Sequence, residues 1–292
     1  MPTLNVHHRT SYHYSQPVEF GEHRLMSRPR DSHDLRLLDT SLLIDPRPDT
    51  LRWIHDVFGN SIAIATFDRA ADTLTFESSF RAKHYPAVSE AIVVEPYASE
   101  FPFSYSAADA LDLGRTKERH YQDPDHRIDQ WAKNVLDRTL GRRTFETLVA
   151  MTSAIRDQFQ YVVREPEGVQ SPLETLELRS GSCRDFAVFM MEVVRSLGLG
   201  ARFVSGYLYD EHLVGAAGGM VGSGATHAWV QVFLPGAGWV EFDPTNALVG
   251  GRNLVRVAVA REAVQAAPVA GSFKGPARAL LSLSVEVKVT TE

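Results

Sequence analysis

The sequence predicts an α+β protein: an antiparallel, β-rich first part followed by a core in which a long amphipathic helix precedes antiparallel strands. Three observations carry this reading. Apolar and polar residues alternate through much of the first 85 positions, the apolar period lengthens to three and four residues after position 128, and alternation returns after position 201.

In the first part, Leu4, Val6 and His8 alternate with polar neighbours, Tyr12 and Tyr14 follow, and positions 41–45, 61–67 and 73–77 repeat the strand pattern. Turn-forming breaks at 45–49, at Gly59 and Asn60, and at 68–72 separate them, as antiparallel strands require. These features place a β-rich N-terminal domain at 1–95. From Glu95 to Gln122 the composition shifts to Pro, Tyr, Ser and charge, and Ile128, Trp131, Ala132 and Val135 then mark a short helix. Residues 96–145 are therefore expected to be a connecting helical segment. A core at 146–250 opens with a helix through Leu148, Met151, Thr152, Ile155 and Phe159. Residues 251–292, with alternation at 254–259 and at Leu283, Val285, Val287 and Val289, read as a C-terminal β extension that packs back on the chain.

The clearest helix lies within 181–198. Phe186, Phe189, Met190, Val193, Val194 and Leu197 recur at offsets of three and four, and Gly198 is a natural stop. Ser182, with Asp185 three positions on, forms a capping-box pattern that starts the helix at Cys183. A strand at 201–208 follows, then a glycine-rich stretch from Gly215 to Gly224 that could cover a cleft. Strands at 227–234 and 239–243 flank a turn at 235–238.

Bulk properties narrow the function. The 292 residues carry a formal net charge of −6, which offers no basic field for phosphates and argues against nucleic acid as a main partner. No run approaches the roughly 18 to 20 apolar residues of a membrane span, and the opening residues lack a signal-peptide pattern, so a cytoplasmic protein with no membrane partner is expected. A single cysteine rules out an intramolecular disulfide and a zinc site built on several thiolates. The 11 histidines include no His-Glu-x-x-His pattern, and no acidic loop reads as a calcium site; no metal and no cofactor are expected.

The chemistry centres on three residues. A sulfur at the first turn of a helix lies near unpaired backbone N–H groups and the positive end of the helix dipole, which favours thiolate over thiol. By itself Cys183 reads more readily as a buried core thiol, the commoner role of a free cysteine. Alternation puts His227, Trp229, Gln231 and Phe233 on one face of their strand and Ala228, Val230 and Val232 on the other. A hairpin turn at 235–238 then brings His227 opposite positions about 243 to 247, which include Asp243. A carboxylate there can hold one imidazole nitrogen while the other faces a thiol. Arg184 and Asp185 could shape the site or simply cap the helix, and Trp229 could shield the histidine or simply pack.

Four strings occur in order: SGSCRDFA at 180–187, LGLGARFVSGY at 197–207, HAWVQVFLPG at 227–236 and GWVEFDPTN at 238–246. Together they resemble the core motifs of the bacterial transglutaminase-like superfamily, and the β-rich start resembles the N-terminal region that precedes this core in one bacterial branch. The resemblance implies a papain-like core with the cysteine opening a helix that packs on an antiparallel sheet. It also implies a catalytic triad in which Cys183 is the nucleophile, His227 the general base and Asp243 the residue that orients the histidine. The activity implied is acyl transfer from a peptide or protein amide through a thioester, most simply as a peptidase or amidase. A protein-glutamine transglutaminase and a catalytically silent binding module are the alternatives. After Asn246 the chain reads ALVGGRNL, where many relatives carry a glycine and later a histidine.

Overall fold

The computed structural model describes residues 2–85, 92–164, 168–209 and 224–292. The first part consists of β1 (Thr3–Phe20), β2 (His23–Arg28), β3 (Leu35–Asp45), β4 (Thr50–His55), β5 (Ser61–Thr66) and β6 (Ala70–His84). Helices α1 (Ala107–Leu113), α2 (Arg127–Arg138) and α3 (Thr144–Gln158) lead to the short strand β7 (Gln160–Tyr161), then α4 (Pro172–Leu178), β8 (Ser180–Gly181) and α5 (Cys183–Ser196). Strands β9 (Ala201–Leu208), β10 (His227–Leu234), β11 (Gly238–Asp243), β12 (Leu248–Val249) and β13 (Leu254–Ala260) follow. The chain continues through β14 (Val269–Ala270), β15 (Phe273–Lys274) and β16 (Leu280–Thr291).

The strands form stacked layers. An outer antiparallel sheet has the order β15-β1-β6-β3, with β16 also pairing β1, and a second sheet has the order β14-β2-β5-β4. Strand β5 of the second sheet is covered on both faces. Ala63 and Ala65 of β5 pack with Leu25, Leu74 and Phe76 toward the outer sheet, while Ile62 and Ile64 join the cluster built around α5. Burial on both sides explains why 61–66 reads as a nearly continuous apolar run.

The core sheet has the order β12-β11-β10-β9-β13, and α5 lies across it. Phe186, Phe189, Met190, Val193 and Val194 of α5 pack against Ala228, Val230 and Val232 of β10 and Phe242 of β11. Ile128 and Trp131 of α2 and Leu148, Met151 and Ile155 of α3 close the other side. The apolar stripe read from the sequence is thus the buried stripe, and α5 starts at Cys183 as its capping pattern implies.

The outer sheet joins distant parts of the chain. β1 pairs β6 on one side and β16 on the other, from Leu4↔Thr291 to Tyr14↔Leu280. Several elements lie outside the sequence expectations. β3 begins at Leu35, six positions before the run at 41–45, and β2, β4, α1 and α4 have weak apolar periodicity. β4 shows why, since Leu51 and Trp53 are 44% exposed and no buried face writes itself into the pattern. For α4 a signal was present: the Ser171 hydroxyl accepts from the Glu174 N–H at 3.2 Å, and Pro172 occupies the first turn. The glycine-rich stretch from Gly215 lies outside the described residues up to Gly224. Among the described residues no helix is long and apolar enough to cross a membrane.

Candidate active site

The site forms where the N-terminus of α5 meets the start of β10 and the end of β11. The Ser182–Asp185 capping box fixes the helix start. Asp185 Oδ2 accepts from the Ser182 N–H at 2.8 Å and from its hydroxyl at 2.7 Å. Its Oδ1 accepts from the Gln170 N–H at 2.7 Å and from Arg164 Nη1 at 2.8 Å. A fully buried carboxylate with four donors is rigid, so the backbone on either side of Cys183 is held from three chain segments. Asp185 therefore does more than cap, whereas Arg184 is exposed.

The register of the β10–β11 hairpin is Val230↔Phe242 and Gln231↔Glu241. Carried back along the strands, it sets Asp243 across from Trp229 and His227 across from position 245. Asp243 thus meets the histidine diagonally, at the near edge of the window given by the hairpin turn. The contact is close: His227 Nε2 lies 2.9 Å from Asp243 Oδ2. Both side chains are buried, at 1% and 0% exposure, and Cys183 is 8% exposed.

Asp243 is itself held in place. Its Oδ1 accepts from the Thr245 N–H at 2.9 Å and its Oδ2 from Asn246 Nδ2 at 2.9 Å. Burial alone would push this carboxyl up, but the His227 charge and these donors outweigh it and hold the group below the usual carboxylate range. Burial alone would push His227 down, but the Asp243 charge and hydrogen bond, with a further contribution from Cys183, push it up to about 10. Both shifts favour the imidazolium–carboxylate form of the pair.

With Nε2 committed to Asp243, Nδ1 is the ring nitrogen left for the thiol. It is buried, and besides Asp243 the side chain that acts on the ring is Cys183 at the start of α5. A proton on Nδ1 next to sulfur, with Nε2–H fixed on a carboxylate, is an arrangement able to protonate a leaving group beside the sulfur.

Residues outside the sequence expectations also meet here. Tyr161 is brought to the start of α5 by the parallel pairing Tyr161↔Gly181, and burial followed by the Cys183 charge pushes its phenol up. Trp229, a residue already within those expectations, stacks its indole on His227 with ring centroids 6.0 Å apart and planes 27° apart. Asn246 and Tyr161 had no periodic signal, although the Asp-Pro-Thr-Asn string placed Asn246 within a turn of Asp243. Among the described residues no group of three or more His, Cys, Asp or Glu side chains could hold a metal ion.

A helix that opens on cysteine and packs on an antiparallel sheet carrying a histidine–aspartate pair is the fold of transglutaminase-like and papain-like cysteine proteases. The chain belongs to the transglutaminase-like superfamily: residues 129–244 match that superfamily, and residues 4–83 match the bacterial transglutaminase-like N-terminal region. A crystal structure of a candidate cysteine protease from Cytophaga hutchinsonii shares the fold with a TM-score of 0.71 at 18% identity, over 99% of this chain and 90% of that one. The uncharacterized Mycobacterium leprae protein ML0607 is 29% identical over 98% of both chains. A protein-glutamine gamma-glutamyltransferase of Pseudomonas aeruginosa is 36% identical over 95 residues, 30% of this chain and 14% of that protein.

Proposed function

We propose that the chain is a cysteine-dependent amide acyl-transfer enzyme that acts as a peptidase or amidase. The observation that carries this reading is the buried His227–Asp243 pair at 2.9 Å, whose remaining ring nitrogen is left to a cysteine at a helix N-terminus. Cys183 Sγ, as thiolate, attacks the amide carbonyl carbon and the C=O π pair moves onto oxygen. The Cys183 N–H, in the first helical turn, is the first donor to that oxyanion. As the oxyanion collapses, His227 Nδ1 gives its proton to the leaving amine, the C–N bond breaks, and a thioester remains. Water then loses a proton to Nδ1 and attacks the thioester; the C–S bond breaks and the thiolate returns. Asp243 keeps Nε2–H fixed through both halves and compensates the imidazolium charge.

A second reading, protein-glutamine transglutaminase, draws on the similarity to the Pseudomonas aeruginosa enzyme over 30% of this chain. It differs in one step, an amine taking the place of water at the thioester. A thiol-directed acyl probe should label Cys183 and lose that labelling in His227→Ala; labelling unchanged by the substitution would reject His227 as the activating group. Free amine released from a peptide amide without uptake of a labelled primary amine supports hydrolysis. Uptake of the labelled amine into a glutamine-bearing protein supports the second reading.

A further inference from the structure

Beside the His227–Asp243 pair lies a second buried carboxylate that the acyl-transfer steps do not use. Glu241, 7% exposed, precedes Asp243 by two positions on β11 and accepts from the Trp229 indole N–H. Its other oxygen accepts from Gln231 Nε2 at 2.6 Å and from Arg256 Nη1 at 2.7 Å. Arg256 then reaches out of the core: its Nη2 lies 3.0 Å from Asp34, at the start of β3 in the outer sheet. Arg202 completes the cluster by donating to Gln231 Oε1 at 2.6 Å while lying over the Trp239 ring at 4.1 Å.

An acid bonded to an arginine would by itself be an ordinary buried ion pair. The indole makes the difference. Trp229 is fully buried and stacked on the imidazole, and its position is fixed from behind, where any side chain at Gly206 would meet the indole at 2.7 Å and Val255 O at 2.1 Å. An imidazolium against an indole face is attracted by the ring quadrupole, and the attraction depends on the plane of the ring. One strand thus supplies both the acid bonded to the imidazole edge and the acid that fixes the ring on its face.

We propose that Glu241 is a positioning residue for His227, acting through the Trp229 indole, and that the Arg256–Asp34 bridge makes this positioning depend on the docking of the outer sheet. The proposal rests on the catalytic reading of His227, but it is testable on the ring itself, without turnover. Among the described residues, the titratable groups that act on His227 are Asp243 from β11 and Cys183 from α5. Those facing Glu241 are Arg256 from β13 and Arg202 from β9, with Arg30 beyond Arg202.

The experiment is an NMR titration of His227 in the intact chain with isotope-labelled histidine, the signal assigned by its loss in His227→Ala. Glu241→Gln and Trp229→Phe should each lower the pH at which His227 gives up its imidazolium proton by about half a unit. The double variant should shift no further than the larger single one, because both act through the same ring. Asp34→Asn should shift it in the same direction by less. An unmoved titration in either single variant, or additive shifts in the double variant, would overturn the proposal, and Trp229→Phe keeps the test decisive should Glu241→Gln fail to fold. Labelling of Cys183 that survives His227→Ala would instead sink the catalytic reading and leave the titration result standing.

Discussion

The two ends of α5 bury charge in different ways. At the C-terminal end, Glu192 and Arg195 are 0% and 4% exposed and joined at 3.0 Å. Arg195 also donates to Thr116 O at 3.1 Å, Ala201 O at 3.0 Å and Arg261 O at 2.7 Å, while Glu192 accepts from the His120 and Tyr121 N–H groups. All three guanidinium nitrogens of Arg195 donate. At the N-terminal end, Asp185 is just as saturated, but His227 Nδ1 beside Cys183 is not. Buried polar groups tied to several backbone carbonyls and N–H groups, as Arg195 and Glu192 are, specify structure, whereas a buried imidazole held on one side only keeps a ring nitrogen turned toward the cysteine.

This contrast can be broken from either end. Cys183→Ala should reduce amide turnover about 10⁴-fold or more while leaving the thermal midpoint nearly unchanged, as steady-state kinetics and calorimetry would show. Arg195→Met should do the reverse: it strands Glu192, costs about 3–5 kcal/mol of stability by denaturant unfolding, and leaves labelling per folded molecule intact. A large activity loss in folded Arg195→Met would erase the distinction.

A third variant tests a buried ionisable group in the outer sheet. Burial, then His7, pushes His8 down to about 4, while its ring bonds Tyr207 at 2.9 Å and Thr10 at 3.0 Å. The unfolded chain takes up that proton near pH 6.5 and the folded chain only near 4, so stability falls as pH drops through this window, by about 3 kcal/mol in total. Urea unfolding of His8→Gln against pH should show a flatter dependence between those values.

Two smaller effects sharpen the N-terminal end. Asp243→Asn should slow turnover about 10²-fold. It should also move the basic limb of kcat/KM downward, because the native imidazolium persists until about pH 10 through the Asp243 charge and loses its proton earlier without it. For stability the same signs hold. The raised His227 contributes fully below pH 6.5 and loses its contribution as pH rises toward 10, whereas the lowered Asp243 contributes above its ordinary range and is lost in acid. Ser182→Ala removes one donor to Asp185 and should cost about 1 kcal/mol in denaturant unfolding, with a modest loss of turnover.

Much of this architecture was legible because it is local. The stripe of α5, its start at Cys183, the bounds of β9 and β10 and the turn between β10 and β11 all follow from patterns a few residues long, and the turn alone brought Asp243 within reach of His227. What escaped depends on distance along the chain. Asp34 and Arg256 meet only because two sheets stack, and Tyr161 reaches Cys183 through a parallel pairing two residues long. The division of the first six strands between two sheets left little trace either, since Ser61–Thr66 is buried on both faces and Thr50–His55 on neither.

The pairing of β1 with β16 bears on how the protein reaches this state. Residue 4 faces residue 291, and the Glu292 N–H donates to Thr3 O at 3.0 Å. The edge of β1 away from β6 is covered by residues 280–291, a pairing of high sequence separation of the kind that slows folding. Without that strand β1 would present a long unpaired edge of the kind that recruits a second chain, so deleting residues 280–291 is expected to make refolding yield fall with protein concentration, as light scattering during refolding would show.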